Sequence, residues 1–484
     1  MTLERAQQSD YGAVCALYQA VVEAMQASGL DQWTWGVYPA ADIIADDIAK
    51  GQLYVARKTD AIVAAVCVNC EQDDEYTAIN WHYGVKPGLF HRLAIAPDAQ
   101  GRGYGRAALG EVCRILREMG CDCLRCDTYS LNAAALRCYE GFGMRRAESF
   151  RFPWKEAPFV PFEMMLTDDC PLLPIRMTPA FRSGKQTPWG GDRLRELYGK
   201  DAPPQTGESL ECSCISGLES RDATGKPLPE LVALYGKRLV GKYAGKEFPL
   251  LLKLLDAKDT LSVQVHPYDS YAREYEGKLG KTEAWLILEA EEGSELIYGV
   301  NPGVTIEMLR EACGKGSAVE PLLRRVKVKP GDVCYIPAGC VHAIGSGVLL
   351  YEIQQSSDVT YRLYDWDRRD AQGRTRELHI GKALDVAGLF EPQLEPVHAF
   401  DVPFAHVLDM PFYFRLDAYA VSGEAKIAPA PYHGFGILTA LTDGLTLCWP
   451  GASMQLRKGE TVLLPAAAPD LTLRGEGRAA VSMP

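Results

Sequence analysis

Apolar positions along the first 166 residues switch between two spacings. In "YGAVCALYQAVVEAMQAS" they recur every three or four positions, which predicts an amphipathic helix, and "RAALGEVCRILREMG" predicts a second. Between them, "GQLYVARK" and "AIVAAVCVNC" are compact apolar runs of strand length. Strands interleaved with helices predict an α/β layer structure for residues 1–166. After Leu166 the texture changes: "TDDCPLLPIRMTPAF" is crowded with proline and turn residues, which places a linker at 167–173. Short strands then dominate, punctuated by Gly, Pro and Asp: "PLLLKLLD", "LSVQVHP", "EAWLILEA", "RRVKVKPGDVCYIPAG", "GVLLYEIQQ". Such segments predict a sandwich or jelly-roll barrel over 174–389, with some helix between the strands. "FRLDAYAV", "GFGILTALTDG" and "KGETVLLPAAAPDLTL" predict a further small all-β unit over 390–484. No low-complexity tract or short repeat interrupts the pattern.

Composition narrows the function classes. At 484 residues the chain is long enough for two or three domains. A hydrophobic share of 47% and a charged share of 24% are those of a soluble globular protein. The formal net charge of −12 argues against general binding to nucleic acid or anionic membranes, which need a basic surface. Local pockets for small phosphates remain open. "MTLERAQQSDYGAV" does not read as a secretory signal, and no stretch reaches the roughly 20 apolar residues of a membrane span. Cytoplasm is the expectation. The fifteen cysteines are odd in number and scattered through apolar runs, as buried free thiols would be. A zinc site from Cys67, Cys70, Cys121, Cys123 and Cys126 is conceivable, but "AIVAAVCVNCEQ" reads as a strand and no second C-x-x-C follows.

"LAIAPDAQGRGYGRAAL", Leu93 to Leu109, reads as a strand, a turn, a glycine-dense loop and the start of a helix. Gln100-Gly101-Arg102-Gly103-Tyr104-Gly105 leaves backbone N–H groups free to converge on an anion, with the helix dipole behind them. Glycine alone could simply permit a tight turn. No Gly-Lys-Ser/Thr follows, so this is not a Walker loop, and the proline turn makes it a poor dinucleotide fingerprint. The stretch resembles the GNAT acetyltransferase superfamily over residues 1–166. "RCDTYSLNAAALRCYEGFGMRRA" (Arg125 to Ala147) is similar to that family's strand, Asn-bearing loop, helix and "YE-x-x-GF" ending. The resemblance implies that Leu93, Ile95, Gln100 to Gly105 and Asn132 hold acetyl-CoA. It also implies that Tyr139 protonates the departing thiolate, where the bland alternative is a core aromatic. The base is unmarked among His82, His91 and several carboxylates. "QWTWGVYP" (Gln32 to Pro39) could shape an acceptor pocket or merely pack the helices, and the acceptor amine cannot be read.

In "LSVQVHP", Ser262, Gln264 and His266 alternate with apolar residues and would share one strand face. "GKTEAW" puts Lys281 and Glu283 two apart, and "PAGCVHAIG" brings His342 after a strand and turn. Gln264, His266, Glu283 and His342 supply two imidazoles and two oxygens, a set suited to zinc or another first-row divalent ion. Each has a bland reading alone, as a core amide or a loop histidine. These segments, with "FPLLLKLLDAKDTLSVQVHPYD", "YEIQQSSDVTYRLYDWDR" and "TPWGGDRL", resemble the type I mannose-6-phosphate isomerase family in that family's order, over roughly residues 174–484. The implied fold is a pair of cupin-like jelly rolls. The implied zinc ligands are Gln264, His266, Glu283 and His342.

The chemistry so implied moves a proton between C2 and C1 of a hexose 6-phosphate through a cis-enediol. Lys281 and Arg362 would stabilise charge or bind phosphate, Glu352 would carry the proton, and Ser262 and Arg368 would contact substrate. Any of these charges could instead be an ordinary ion-pair residue. His379, His398, His406 and His433 fall outside the motifs and read as structural, and the last all-β unit reads as a cover for the barrel. The whole reads as a multidomain, bifunctional enzyme using zinc and acetyl-CoA on small molecules. Two rivals remain: a cupin that senses sugar phosphate without turnover, and a degenerate coenzyme A-binding module. An isomerase assay and a coenzyme titration separate them.

Overall fold

The computed structural model describes residues 1–369, 372–395, 398–401, 403–410, 412–427 and 434–484. Contacts divide them into two compact units: Met1–Leu173 with Pro450–Ala452, and Pro174–Trp449 with Ser453–Pro484. Among the described residues no helix is long and apolar enough to cross a membrane.

In the first unit a seven-stranded sheet runs in the order Glu4–Arg5, Leu53–Lys58, Ala61–Asn69, Pro87–Ile95, Cys123–Tyr129, Phe159–Met165, Arg145–Arg146. Leu53, Val55, Ala65 and Cys67 pack against helices Tyr11–Ala27 and Ala41–Ala49 through Val14, Tyr18 and Ile44. Tyr54, Ala64 and Val66, on the opposite face, meet helix Tyr104–Glu118 through Leu109, Val112 and Leu116. Both faces are buried, which is why "AIVAAVCV" is continuously apolar rather than alternating.

One junction departs from the antiparallel pattern. Pro87–Ile95 and Cys123–Tyr129 are parallel and pair only through Pro87–Leu89 and Cys123–Arg125. Beyond that the strands have no mutual register. Opposite this gap Val66 faces both Arg92 and Leu93, a bulge seen as a register shift between Ala65 and Cys67, and Arg92 adopts φ +54°. A bulge bends its strand, and here the bend opens the sheet.

The second unit is mainly β. A six-stranded sheet orders Val333–Ile336, Glu283–Ala290, Val348–Gln355, Leu250–Ala257, Thr206–Cys212 and Ala180–Ser183. A five-stranded sheet orders Leu323–Lys327, Glu295–Val300, His342–Ile344, Val263–Val265 and Tyr361–Tyr364. They pack face to face, Trp285, Ile287 and Leu350 of the first against Leu296, Tyr298 and Ile344 of the second. The outer face of the five-stranded sheet is covered by helices Ile306–Cys313 and Ile380–Val386.

The C-terminal β segments form an eight-stranded sheet in which Thr461–Leu464 pairs antiparallel with Ile175–Met177. The expected break near residue 390 falls inside this second unit, and its first strand belongs to the last sheet. The strand expected over Leu261–Pro267 is only Val263–Val265. Ser262 and His266 lie outside the ladder, so their shared face is set by the loops as much as by the pleat.

Candidate functional site

The two sheets of the sandwich bring the four sequence-predicted metal donors together. Gln264 stands directly across the ladder from His342 on one side and Arg362 on the other. Glu283 comes from the opposite sheet, as the first residue of its strand. His342 Nε2 lies 3.4 Å from Glu283 Oε1, and His266 Nε2 lies 3.5 Å from Glu283 Oε2. The Gln264 amide donates to His342 Nε2 at 3.3 Å, so a half-turn of that amide presents its oxygen instead. His266, Glu283 and His342 offer ligand atoms within 4.8 Å of one another, the one such group among the described residues.

Backbone carbonyls fix both imidazoles. His266 Nδ1–H donates to the Val359 carbonyl at 3.0 Å and His342 Nδ1–H to the Cys340 carbonyl at 2.9 Å. Each ring therefore turns an unprotonated Nε2 inward, the tautomer a metal needs. Burial drives the His266 pKa down to about 3, with Lys281 adding to the effect, and burial also lowers His342. Burial alone would raise Glu283, but Lys281 and His266 beside it hold the carboxyl well below its usual range. Both Glu283 oxygens are buried and accept no hydrogen bond. A buried carboxylate with no donor is costly unless a cation completes it. Lys281 Nζ partly answers, 2.9 Å from Glu283 Oε2 and 3.0 Å from His266 Nε2. Two imidazole nitrogens, a carboxylate and an amide oxygen are a donor set that fits zinc.

The neighbouring charges are arranged rather than scattered. Glu352 Oε2 accepts from the Trp285 indole at 2.9 Å, and its Oε1 accepts from Lys253 Nζ at 3.1 Å. Lys253 in turn lies 3.8 Å from Glu208, which Arg182 meets at 3.1 Å. These residues form a line of alternating charge across the six-stranded sheet, buried at Glu352 and Lys253 and half-buried at Glu208 and Arg182, and sequence reasoning missed all of it except Glu352. Burial and the nearby Glu283 raise the Glu352 pKa. Arg362 donates to Ser262 Oγ at 3.2 Å and to the Glu377 carbonyl at 3.0 Å. Burial and the neighbouring Arg376 lower its pKa, a crowding of positive charge that suits an anion. Arg368 is occupied differently, holding Asp365 at 2.5 Å and the Thr260 carbonyl at 2.8 Å. His379 Nδ1 accepts from the Arg362 amide, and His433 lies outside the described residues.

In the first unit the glycine loop takes the expected form. Gly101 and Gly103 have φ of +74° and +84°, conformations open to glycine, and Gly103 caps helix Tyr104–Glu118. Among the described residues, the amides of 101–106 have no backbone acceptor, while Ala107 bonds back to Gly103. Gln100 braces the loop by donating to the Ile95 carbonyl at 3.1 Å. Leu93, Ile95 and Tyr104 pack partly buried on the core, and Arg102 is exposed. Asn132 caps helix Ala133–Phe142, accepting from Ala135 N–H at 3.0 Å and donating to Gln32 at 2.7 Å. Tyr139 is buried edge-on between Phe90 and Phe162, and burial pushes its pKa well up.

A cavity of about 720 Å³ lies beside these groups, lined by Leu93, Asn132 and Tyr139 and by Gln32, Trp33 and Tyr38 of "QWTWGVYP". The two candidate histidines part company. His91 lines the cavity, while His82 is buried against Glu163 at 2.9 Å and does not. Asp127 on the cavity wall was not singled out by sequence; a lone Asp inside an apolar strand is its only local signal. The cysteines are all free, and Cys67 sits within strand Ala61–Asn69 as read.

Comparison with known proteins covers both units. Residues 16–144 match the acetyltransferase (GNAT) family, and residues 181–283 match the catalytic domain of phosphomannose isomerase type I. A mannose-6-phosphate isomerase of Streptococcus mutans is 41% identical over 57% of this chain and 88% of its own length. Mannose-6-phosphate isomerase ManA of Bacillus subtilis is 39% identical over 64% of this chain and 98% of its own. The crystal structure of the Bacillus subtilis mannose 6-phosphate isomerase superposes with a TM-score of 0.57 at 36% identity, covering 64% of this chain and 99% of that one.

Proposed function

This chain belongs to the mannose-6-phosphate isomerase family and carries an acetyltransferase (GNAT) domain ahead of it, and from that premise we propose a bifunctional enzyme. One activity interconverts mannose 6-phosphate and fructose 6-phosphate. The other transfers an acetyl group from acetyl-CoA to an amine. The observation that carries the first is the Glu283 carboxylate, fully buried with Lys281 as its one cationic neighbour among the described residues and faced by two imidazole nitrogens whose tautomers are already set for a metal. Gln264, His266, Glu283 and His342 would hold zinc, which when bound supplies Lewis acidity toward the sugar's oxygens.

The chain's own residues do the rest. Arg362 and Ser262, already hydrogen-bonded to each other, receive the phosphate, with Arg368 holding the adjacent Asp365 turn in place. Lys281 sits among the metal donors and stabilises the oxyanion of the enediol. Glu352, raised above the ordinary carboxylate range, moves the proton between C2 and C1. In the first unit, the free amides of the glycine loop cradle the coenzyme's pyrophosphate. Tyr139 stays protonated to receive the leaving thiolate. Fifteen free cysteines support a reducing, cytoplasmic setting. The domain boundaries at 166 and 174 belong to the same proposal.

The test is a metal analysis joined to a coupled fructose 6-phosphate assay on the purified chain, before and after chelation. Turnover should follow metal content and return with zinc. A chain that binds metal and mannose 6-phosphate without turning it over would instead be a sensor.

A further inference from the structure

The cavity of the first unit is sorted by charge. Six carboxylates line it against three cations. Each cation is already committed: Lys50 to Asp46 at 2.8 Å, Arg92 to Asp47 at 2.6 Å, Lys155 to Asp31 at 3.6 Å. Asp73, Glu75 and Asp127 have no ion-pair partner among the described residues. Tyr76 donates to one oxygen of Asp127 at 2.6 Å. Burial lifts the Asp127 carboxyl to about 6 against the pull of that hydroxyl, and Asp73 raises it further. Carboxylates gathered beside one another in a partly desolvated cavity cost free energy unless a cation joins them.

That cation is not a metal. The cavity's carboxylates do not converge as the His266–Glu283–His342 group does, which alone among the described residues brings three donors within 4.8 Å. Dispersed negative charge fits an extended cation. Aromatic faces supply a second, independent indication. Phe152 and Trp154 stack at 4.9 Å on the cavity lining, and Trp154 is left 70% exposed. A tryptophan face beside acidic groups attracts organic ammonium ions.

We propose that the acceptor is a polycationic amine, an alkyl chain bearing two or more ammonium groups. One is acetylated beside Asp127, and another is held by Asp73, Glu75 and an aromatic face. This rests on the acetyltransferase reading of the domain. The reacting ammonium gives one proton to the Asp127 carboxylate. Its freed lone pair forms a C–N bond to the thioester carbonyl carbon, and the C–S bond breaks with its electron pair going to sulfur. The thiolate takes a proton from Tyr139, and the nitrogen's second proton restores Tyr139. The net change is one amide, one thiol and one proton released. Anionic acceptors such as an amino sugar phosphate are repelled by the same wall.

The test uses the full chain, acetyl-CoA and release of the coenzyme thiol. Spermidine and 1,4-diaminobutane should exceed 1-aminobutane in kcat/KM by about 100-fold, and glucosamine 6-phosphate should be inert. The Asp73→Asn/Glu75→Gln double variant should raise the spermidine KM about 10-fold or more while affecting kcat far less. Asp127→Asn should lower kcat by about 10²–10⁴-fold, and its unchanged acetyl-CoA affinity by calorimetry reports that the unit carrying it is folded. If acetyl-CoA binds by calorimetry but 1-aminobutane or glucosamine 6-phosphate matches spermidine, the acceptor class is wrong and the acetyltransferase reading stands. If acetyl-CoA does not bind at all, both fall.

Discussion

The two proposed sites are built by opposite means. In the first, the proposed coenzyme cradle is backbone: free amides between Gly101 and Arg106, contiguous in sequence and set by two positive-φ glycines. In the second, the proposed metal cradle is side chain: Gln264, His266, Glu283 and His342 come from separate segments of the sandwich, the last three fully buried. A backbone cradle tolerates changes in side chain as long as the turn survives. A side-chain cradle does not, because each group's removal strands another.

His266→Ala is the severest way to test that contrast. It deletes an imidazole from the donor set and leaves Glu283 with one fewer partner, so metal and isomerase turnover should both be lost, while acetyl-CoA binding is untouched. Full metal occupancy in this variant, by emission spectroscopy, would remove the ligand assignment.

Lys281→Met should keep the metal and lose about 10²–10⁴-fold in turnover, since it removes charge but spares most of the stem. It also sharpens the comparison. Without its ammonium, the chelated protein has no cation beside Glu283, so its melting temperature should depend on added zinc more steeply than that of wild type. Near wild-type turnover would make Lys281 structural.

Gly103→Val tests the backbone cradle. A Cβ at Gly103 meets nothing within 4 Å, so the damage comes from φ +84° rather than from a clash. A strain of about 1–3 kcal/mol turns the amides aside, and acetyl-CoA should bind about 10- to 100-fold more weakly in calorimetry with isomerase turnover intact. Unchanged affinity would mean the loop is only a turn.

The smallest effect is in acidity, and here the units should differ in how steeply they respond. His266, lowered by burial to about 3, and His342, also lowered, are neutral when folded, whereas the unfolded chain takes up protons below about 6.5. The metal-free isomerase unit should therefore lose stability as pH falls below that value. Asp127 is shifted the other way, up to about 6, so its contribution is present at low pH and lost as pH rises through 6. His91 of the first unit, lowered to about 4 by burial, opposes Asp127, so denaturant midpoints of the chelated chain between pH 4 and 7, followed with a probe in each unit, should fall with acid in the isomerase unit and change less in the first. Equal acid loss in both units would mean that other groups dominate.

Locality also explains what could be read from the sequence. Helix Tyr11–Ala27 and the glycine loop are written in consecutive residues, and both appear as expected. The grouping of Gln264, His266, Glu283 and His342 was legible because each sits in a short segment that resembles a known family. The acidic cavity was not, because it exists only where the Arg92 bulge parts two strands, and "EQDDE" at 71–75 looks like any solvated loop. Nor could His82 be separated from His91, since its partner Glu163 is 81 residues away. A separation of 99 residues likewise hid Lys253 as the partner of Glu352.

The strand Ile175–Met177, which closes the last sheet against Thr461–Leu464, sets a timetable for synthesis. Every strand of the first unit's seven-stranded sheet has been synthesised once residue 165 is made, so that sheet is free to form while the rest of the chain is still being translated. The C-terminal sheet cannot close until the ribosome has passed residue 464, nearly three hundred residues after its edge strand emerged. During that interval Ile175–Met177 is an unpaired apolar edge waiting on a growing chain. A ribosome stalled before residue 461 leaves all the strands of the first sheet tethered to an isomerase whose last sheet is still open.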